Sequence, residues 1–233
     1  KTHWNHRRRC SRYDGCSHSC PKRYQSYDLE RNDRIGKKIL QTGNGKCNLG
    51  NKNLTVECYH GGDAAWIKQA LERFGTEDTV CFFQKIGLLI KEKNGYLYPV
   101  SEQAASVLDV LRYELQTLGV EIIYGCKVQK VERTLSGKLV VNDGDREWQF
   151  DAVILTCGGK AAPGTGSDGS GWKIAKKAGH TCIAPVPALV QLRCLETDLL
   201  KGIAGVRADS RVRILCDGRE TDVERGELQL TEY

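Results

Sequence analysis

The sequence predicts an α/β chain, and three observations carry that prediction. A glycine-, lysine- and asparagine-rich stretch fills residues 30–50 behind an acidic residue, Glu30. Helical apolar stripes at 63–74 and 101–118 alternate with short strand signals. An apolar run, Ala152-Val153-Ile154-Leu155, ends in Thr156-Cys157-Gly158-Gly159, where a strand gives way to a glycine turn.

Residues 30–50 set the chemistry. Gly36, Gly43 and Gly45 let backbone approach a ligand closely, because glycine has no side chain in the way and tolerates positive φ. Lys37, Lys38 and Lys46 suit an anionic group, and Asn44 and Asn48 carry amide donors. A carboxylate at Glu30 matches the two hydroxyls of a ribose. A dinucleotide fits this set better than a metal or a polynucleotide does.

The remaining elements follow in order. Asp63 is the predicted N-cap of a helix whose Ile67, Leu71 and Phe74 recur at helical spacing. A second helix is expected over 77–86, with Phe82, Phe83 and Ile86 inward. Residues 87–99 read as two short strands around Lys-Asn-Gly. Ser101 is the expected cap of a long helix with Ala104, Leu108, Leu111, Leu115 and Leu118 on one stripe and Gly119 as its stop. Residues 120–125 read as a strand, and the segments that follow read as a β-meander. Residues 148–159 are the strongest strand signal in the chain. A glycine-rich segment, 164–180, opens a helix that Gly179 ends; with no Gly-Lys-Ser/Thr it is not a Walker phosphate loop. Asp217-Gly218 is the turn of a hairpin.

The stretch ERNDRIGKKILQTGNGKCNLGN resembles the signature of a family of bacterial NAD(P)/FAD-dependent oxidoreductases, the aminoacetone-oxidase-like flavoproteins, which includes reductases of bile-acid dehydroxylation. The resemblance continues through YHGGDAAWIKQAL, YPVSEQAASVLDVLRYEL, DAVILTCGGKAAPGTGSDGSGWKIAKKAGH and PALVQL to the end, covering about residues 29–233. It implies a Rossmann-like FAD-binding domain, incomplete and spanning 29–187, followed by the start of a β-rich insertion domain over 188–233. It places the Glu30 carboxylate on the adenosine ribose, Val128 at a backbone contact to adenine, and Thr156, Gly158 and Gly159 at a turn like the family's A-T-G-G, from which Cys157 departs. It places Thr165, Gly166 and Asp168 on the flavin side. The expected cofactor-binding set is therefore Glu30, Lys38, Gly43, Asn44, Gly45, Cys47, Asn48, Val128, Thr156, Gly158, Gly159, Thr165 and Asp168. Cys47 reads more readily as packing near the cofactor loop than as a redox thiol, since no C-x-x-C partner accompanies it.

Composition narrows the function classes. The chain has 233 residues, 40% hydrophobic, and no apolar run long enough for a membrane span. Net charge is +6, but residues 1–28 hold seven Lys/Arg and two Asp, so +5 of it is local to that segment. Eleven cysteines read as reduced cytoplasmic thiols. Within residues 1–28, Cys10, Cys16 and Cys20 with His3, His6 and His18 suggest zinc, but the spacing lacks a paired knuckle, and no metal is expected. Arg7, Arg8 and Arg9 suggest a nucleic-acid arm on equally slight grounds.

Out-of-frame translation explains this segment better. Read one base later, the Trp4/Asn5 junction gives glycine, and Cys10/Ser11 is forced to Ala or Val. One permitted decoding of the whole segment is an apolar strand, a G-x-G-x-x-G turn, an apolar helix and a second strand ending where Glu30 follows. That is the βαβ dinucleotide fingerprint. As written, the segment has neither the turn nor the helix, so poor FAD binding is expected.

The function expected from these readings is hydride transfer between FAD and either a nicotinamide cofactor, NAD(P)H, or a small organic substrate. The sequence offers no convincing catalytic acid, base or nucleophile. The alternatives are a non-functional remnant or a zinc- or nucleic-acid-binding N-terminal module. No nucleic-acid or membrane partner is expected, the oligomeric state stays open, and the location expected is cytoplasmic. Relatives continue beyond Tyr233, so the chain is expected to be a fragment at both ends, with insertion strands whose edges lack partners.

Overall fold

The computed structural model describes residues 25–42, 45–60, 62–187, 191–195, 198 and 202–231. The out-of-frame, zinc and nucleic-acid readings were made of residues 1–28, and of that segment residues 1–24 lie outside the described residues, as do Gly43 and Asn44. The chain divides into two compact units between Ile183 and Ala184.

In the first unit, strand β1 (Tyr27–Leu29) runs parallel to β5 (Glu121–Ile123), with Asp28 opposite Ile122. No periodicity marked a strand here, because three residues are too few to show one. Tertiary contacts supply it instead. The ring of Tyr27 lies 5.6 Å from that of Phe150, and the ladder continues through Glu30 N–H to the Ile123 carbonyl at 2.9 Å.

The chain then turns at Gly36, in the left-handed region, into the short helix α1 (Lys37–Leu40). A Cβ at Gly36 would sit 2.2 Å from Leu108 Cδ1, so this turn seats directly on the long helix α4 (Ala104–Thr117). Strands β2 (Gly50–Asn51), β3 (Ile90–Lys93) and β4 (Tyr96–Pro99) form an antiparallel sheet in the order β2-β4-β3. Asn94 and Gly95, at φ of 53° and 84°, make the tight turn expected between β3 and β4.

Helix α2 (Ala64–Arg73) starts at Asp63, whose Oδ1 accepts from Ala65 N at 2.9 Å and Trp66 N at 3.3 Å, as the sequence predicts. Helix α3 (Thr76–Lys85) follows, with Phe82, Phe83 and Ile86 half-buried. The cap of α4 differs from expectation: Gln103 is the N-cap, and Ser101 Oγ, two residues earlier, accepts from Gln103 N at 3.3 Å. The end of α4 is as expected. Gly119 is left-handed, Gly119 N–H reaches the Gln116 carbonyl and Val120 N–H the Leu115 carbonyl, both at 3.0 Å. Val107, 2% exposed, joins Leu108 and Ala104 on the buried stripe, while Leu118 faces out. The core gathers Cys47, Leu88, Ala104 and Val107, with Ile39, Leu49, Phe83 and Leu111 packed around them.

After β5, strands β6 (Lys130–Arg133), β7 (Leu139–Asn142) and β8 (Glu147–Phe150) form the antiparallel meander. Here the largest correction to the sequence reading arises. Only Glu147–Phe150 of the segment 148–159 and its approach is strand; the apolar run after it joins no strand ladder among the described residues. Buried parallel strands read as continuous apolar runs because neighbours cover both faces. Ile154 and Leu155 are instead 55% and 44% exposed. The residue pattern is right for a strand, and no described strand lies beside it. Helix α5 (Ser170–Lys177) follows and stops before Gly179.

The second unit is built on a hairpin. Strands β9 (Arg207–Cys216) and β10 (Arg219–Gln229) pair antiparallel around Asp217 and Gly218, both left-handed, with a register shift between Glu220 and Asp222. No helix among the described residues is long and apolar enough to cross a membrane.

Candidate dinucleotide-binding site

Glu30 leaves the carboxyl end of β1, the end at which open α/β sheets bind ligands. Its Oε1 accepts from Asn32 N and from Asn32 Nδ2, both at 2.7 Å, which folds the turn after β1 under the carboxylate. Beneath it, Cys126 N–H donates to the Glu30 carbonyl at 2.9 Å. The Cys126 thiol is pushed up to about 11 by burial and by the neighbouring Asp143 carboxylate, so it stays a protonated packing group.

Arg31 and Asn32 carry the turn to a distant loop. The Arg31 guanidinium pairs with Asp168 Oδ2, and a Cβ at Gly166 would lie 3.1 Å from Asn32 Nδ2. Asp168 Oδ1 accepts from Ser170 N at 3.0 Å at the start of α5. Hydrogen bonding from Ser170, then the Arg31 guanidinium, holds the Asp168 carboxyl well below the usual carboxylate range. Thr165 is buried, with its hydroxyl on the Ala162 carbonyl at 2.8 Å.

An open groove of about 430 Å³ runs beside this junction. Val128 and Ile174 give it an apolar lining, and Lys127, Asp168, Ser170 and Lys173 give it polar groups. The structure thus brings Val128 and Asp168 to one groove and links Asp168 to the turn that carries Glu30. The Gly158-Gly159 turn joins the same loop: Gly169 N–H donates to the Gly159 carbonyl at 2.9 Å. Gly158 is at φ 76°, and a Cβ there would lie 2.9 Å from Ser167 Oγ, so only glycine fits without displacement. Thr156 is exposed just before it. Cys157 packs over α5, where a Cβ on Gly171 would meet its Sγ at 2.3 Å.

The rest of the 30–50 stretch is arranged around a second set of contacts. Lys38 is exposed on α1, Gly45 is left-handed, and Gly45 N–H reaches the Thr42 carbonyl at 2.9 Å. Asn48 Oδ1 accepts from Gly50 N at 3.0 Å. Cys47 is buried in the core with Leu88, Ala104 and Val107, which accords with packing as the thiol's use. Lys46 Nζ lies 3.1 Å from Glu102 Oε2, and Lys91 Nζ lies 2.5 Å from Glu102 Oε1. Arg31, Asn32 and Glu102 were not selected from the sequence. A charged residue directly after Glu30 was visible, but its partner 137 positions away was not.

The two lysines hold the Glu102 carboxyl down at about 2, from an ordinary 4.5. A depressed carboxyl stabilises the fold above its unfolded value and loses that contribution as pH falls through the folded one. The stability difference between wild type and Glu102→Gln is therefore expected to be largest above pH 4.5 and to vanish toward about 2. Denaturant unfolding of both proteins across that window checks it; a pH-independent difference contradicts it.

The family model described as HI0933-like protein Rossmann domain matches residues 16–210. The chain belongs to the HI0933-like family. This family is one of flavin-dinucleotide oxidoreductases, and its Rossmann-type α/β architecture agrees with the parallel β1–β5 pair. Among curated proteins, the chain is 44% identical over 209 residues to the 3-dehydro-bile acid delta(4,6)-reductase of Clostridium scindens, covering 90% of this chain and 51% of that protein. It is 29% identical over 193 residues to the ribosomal RNA dihydrouridine synthase of Haemophilus influenzae, covering 81% and 48%. It is 26% identical over 185 residues to the Escherichia coli protein of the same name, covering 78% and 46%. The chain spans about half the length of the curated relatives it matches.

Proposed function

We propose that this HI0933-like chain carries the adenosine end of the FAD site of a cytoplasmic reductase. The observation that carries the reading is the position of Glu30: a half-buried carboxylate at the carboxyl end of a parallel strand, one turn from a groove lined by Val128 and Asp168. A ribose diol is the ligand group such a carboxylate takes in a Rossmann fold. The apolar walls at Val128 and Ile174 suit an adenine face. In this reading Thr165 and Asp168 serve the adenosine end and not the flavin side that the family resemblance implies, because Asp168 is tied to the Glu30 turn through Arg31.

FAD, when bound, supplies the hydride chemistry, with NAD(P)H as the electron source. The substrate proposed is a small organic molecule whose carbon–carbon double bond is reduced. Support comes from the relatives' names, a delta(4,6)-reductase and dihydrouridine synthases, and the higher identity to the first favours a small molecule over RNA.

The chain as written has Gly15 as the sole glycine in residues 1–28, so that segment carries no G-x-G-x-x-G. The site therefore holds the ribose end without a sequence for the pyrophosphate turn, and weak FAD binding is the expected result. Within that binding, Glu30→Ala removes a charged hydrogen-bond acceptor; one such bond is worth about 1.5–3 kcal/mol, so affinity is expected to fall by at least roughly 10- to 150-fold. Titration followed by flavin fluorescence measures it. Equal affinity in the two proteins would remove Glu30 from the site.

A further inference from the structure

We propose that Glu102 is a positioning residue for the loop that the cofactor reading assigns to the dinucleotide, acting through Lys46 as one half of a latch. The proposal rests on that reading of residues 45–48. Glu102 stands between β4 and α4, outside every segment read as touching the cofactor. Both its carboxylate oxygens are engaged: Oε2 by Lys46 from the loop at 3.1 Å, and Oε1 by Lys91 from β3 at 2.5 Å. The next loop residue, Cys47, is inserted into the core against Leu88, Ala104 and Val107, and Ala104 lies two positions beyond Glu102. An ionic contact on the surface and an apolar plug beneath it thus fasten one short piece of loop to one helix start.

Backbone conformation adds an independent observation. Cys47 and Glu102 are both left-handed, at φ of 57° and 53°, a region that side chains with a Cβ rarely occupy. Such conformations persist where surrounding contacts over-determine them, and here each is held by contacts to the other's segment. Leu49 N–H on the Leu97 carbonyl at 2.8 Å fixes the exit of the loop to β4. The Lys46 charge, which suits an anionic ligand by sequence alone, is engaged here by Glu102. Its role in this arrangement is to set where the loop stands.

The latch is tested on the full chain without any dinucleotide, by the rate at which a maleimide labels individual cysteines, mapped by mass spectrometry. Cys47 is 8% exposed and Cys126, 1% exposed, reports general unfolding. Glu102→Gln is expected to raise Cys47 labelling roughly three- to tenfold, the scale of two exposed ion pairs, with Cys126 unchanged. Glu102→Asp keeps the charge and is expected to restore most of the protection. Added salt should speed Cys47 labelling in the wild type and leave Glu102→Gln nearly unaffected. Unchanged labelling at Cys47, or equal acceleration at both cysteines, would overturn the latch. A second arm titrates FAD. Weaker binding by Glu102→Gln supports the positioning role; weaker binding by Glu30→Ala with none by Glu102→Gln overturns it. If labelling responds as expected and neither substitution alters FAD binding, the latch stands and the dinucleotide reading fails.

Discussion

Replacing residues 1–28 with the segment decoded one base later is expected to raise affinity for FAD by roughly two to four orders of magnitude. The fingerprint turn places two or more backbone N–H groups at a helix N-terminus against the pyrophosphate. Hydrogen bonds to a charged group contribute about 1.5–3 kcal/mol each, so two of them give about 3–6 kcal/mol. Residues 1–28 as written offer Arg7, Arg8 and Arg9 for charge, but charge alone lacks the geometry of that turn. The restored segment also ends in a strand that takes the place of Tyr27 and Asp28 in β1 and leads into Glu30. Its apolar strand is the kind of neighbour that the run 152–155 lacks among the described residues. Parallel titrations of the two proteins read the difference, and equal affinities would show that the written segment does not limit binding.

Leu108→Ala is expected to cost about 2–5 kcal/mol of stability, the range for removing a buried leucine from a packed core. Leu108 is 3% exposed and does two things at once. It sits on the buried stripe of α4 beside Val107 and Ala104, and its methyls fill the space that Gly36 leaves open before α1. Truncation leaves a cavity between the helix and the turn that continues the Glu30 loop. Loss of FAD affinity should therefore accompany the loss of stability. Denaturant unfolding gives the first quantity; a change below about 1 kcal/mol would mean that this contact does not hold α1 on α4.

The parts of the fold legible in the sequence are those whose signals are local. Asp63 as a cap, the Asn94-Gly95 and Asp217-Gly218 turns, and the Gly119 stop each follow from backbone chemistry within a few residues. The buried stripe of α4 was legible from Ala104 and Leu108, since a helix of fourteen residues repeats its pattern several times. Its cap was not, because Ser101 and Gln103 compete over two positions and tertiary packing decides. The strand read over 148–159 stops at Phe150 for a different reason: apolar content says what a buried strand needs, and cannot say whether its neighbour is there. At the site, Glu30 and the glycine turns stood out by residue type and by family resemblance. Arg31–Asp168 and Lys46–Glu102–Lys91 did not, because ion pairs between distant segments leave no periodicity to read.

Hydrogen–deuterium exchange of the chain in saturating FAD tests the placement of the site most directly. The account predicts slowed exchange at the backbone amides of residues 30–34, 126–129 and 166–170, and none of comparable size in the β9–β10 hairpin. Protection confined to other segments, or no protection at any FAD concentration, would contradict it.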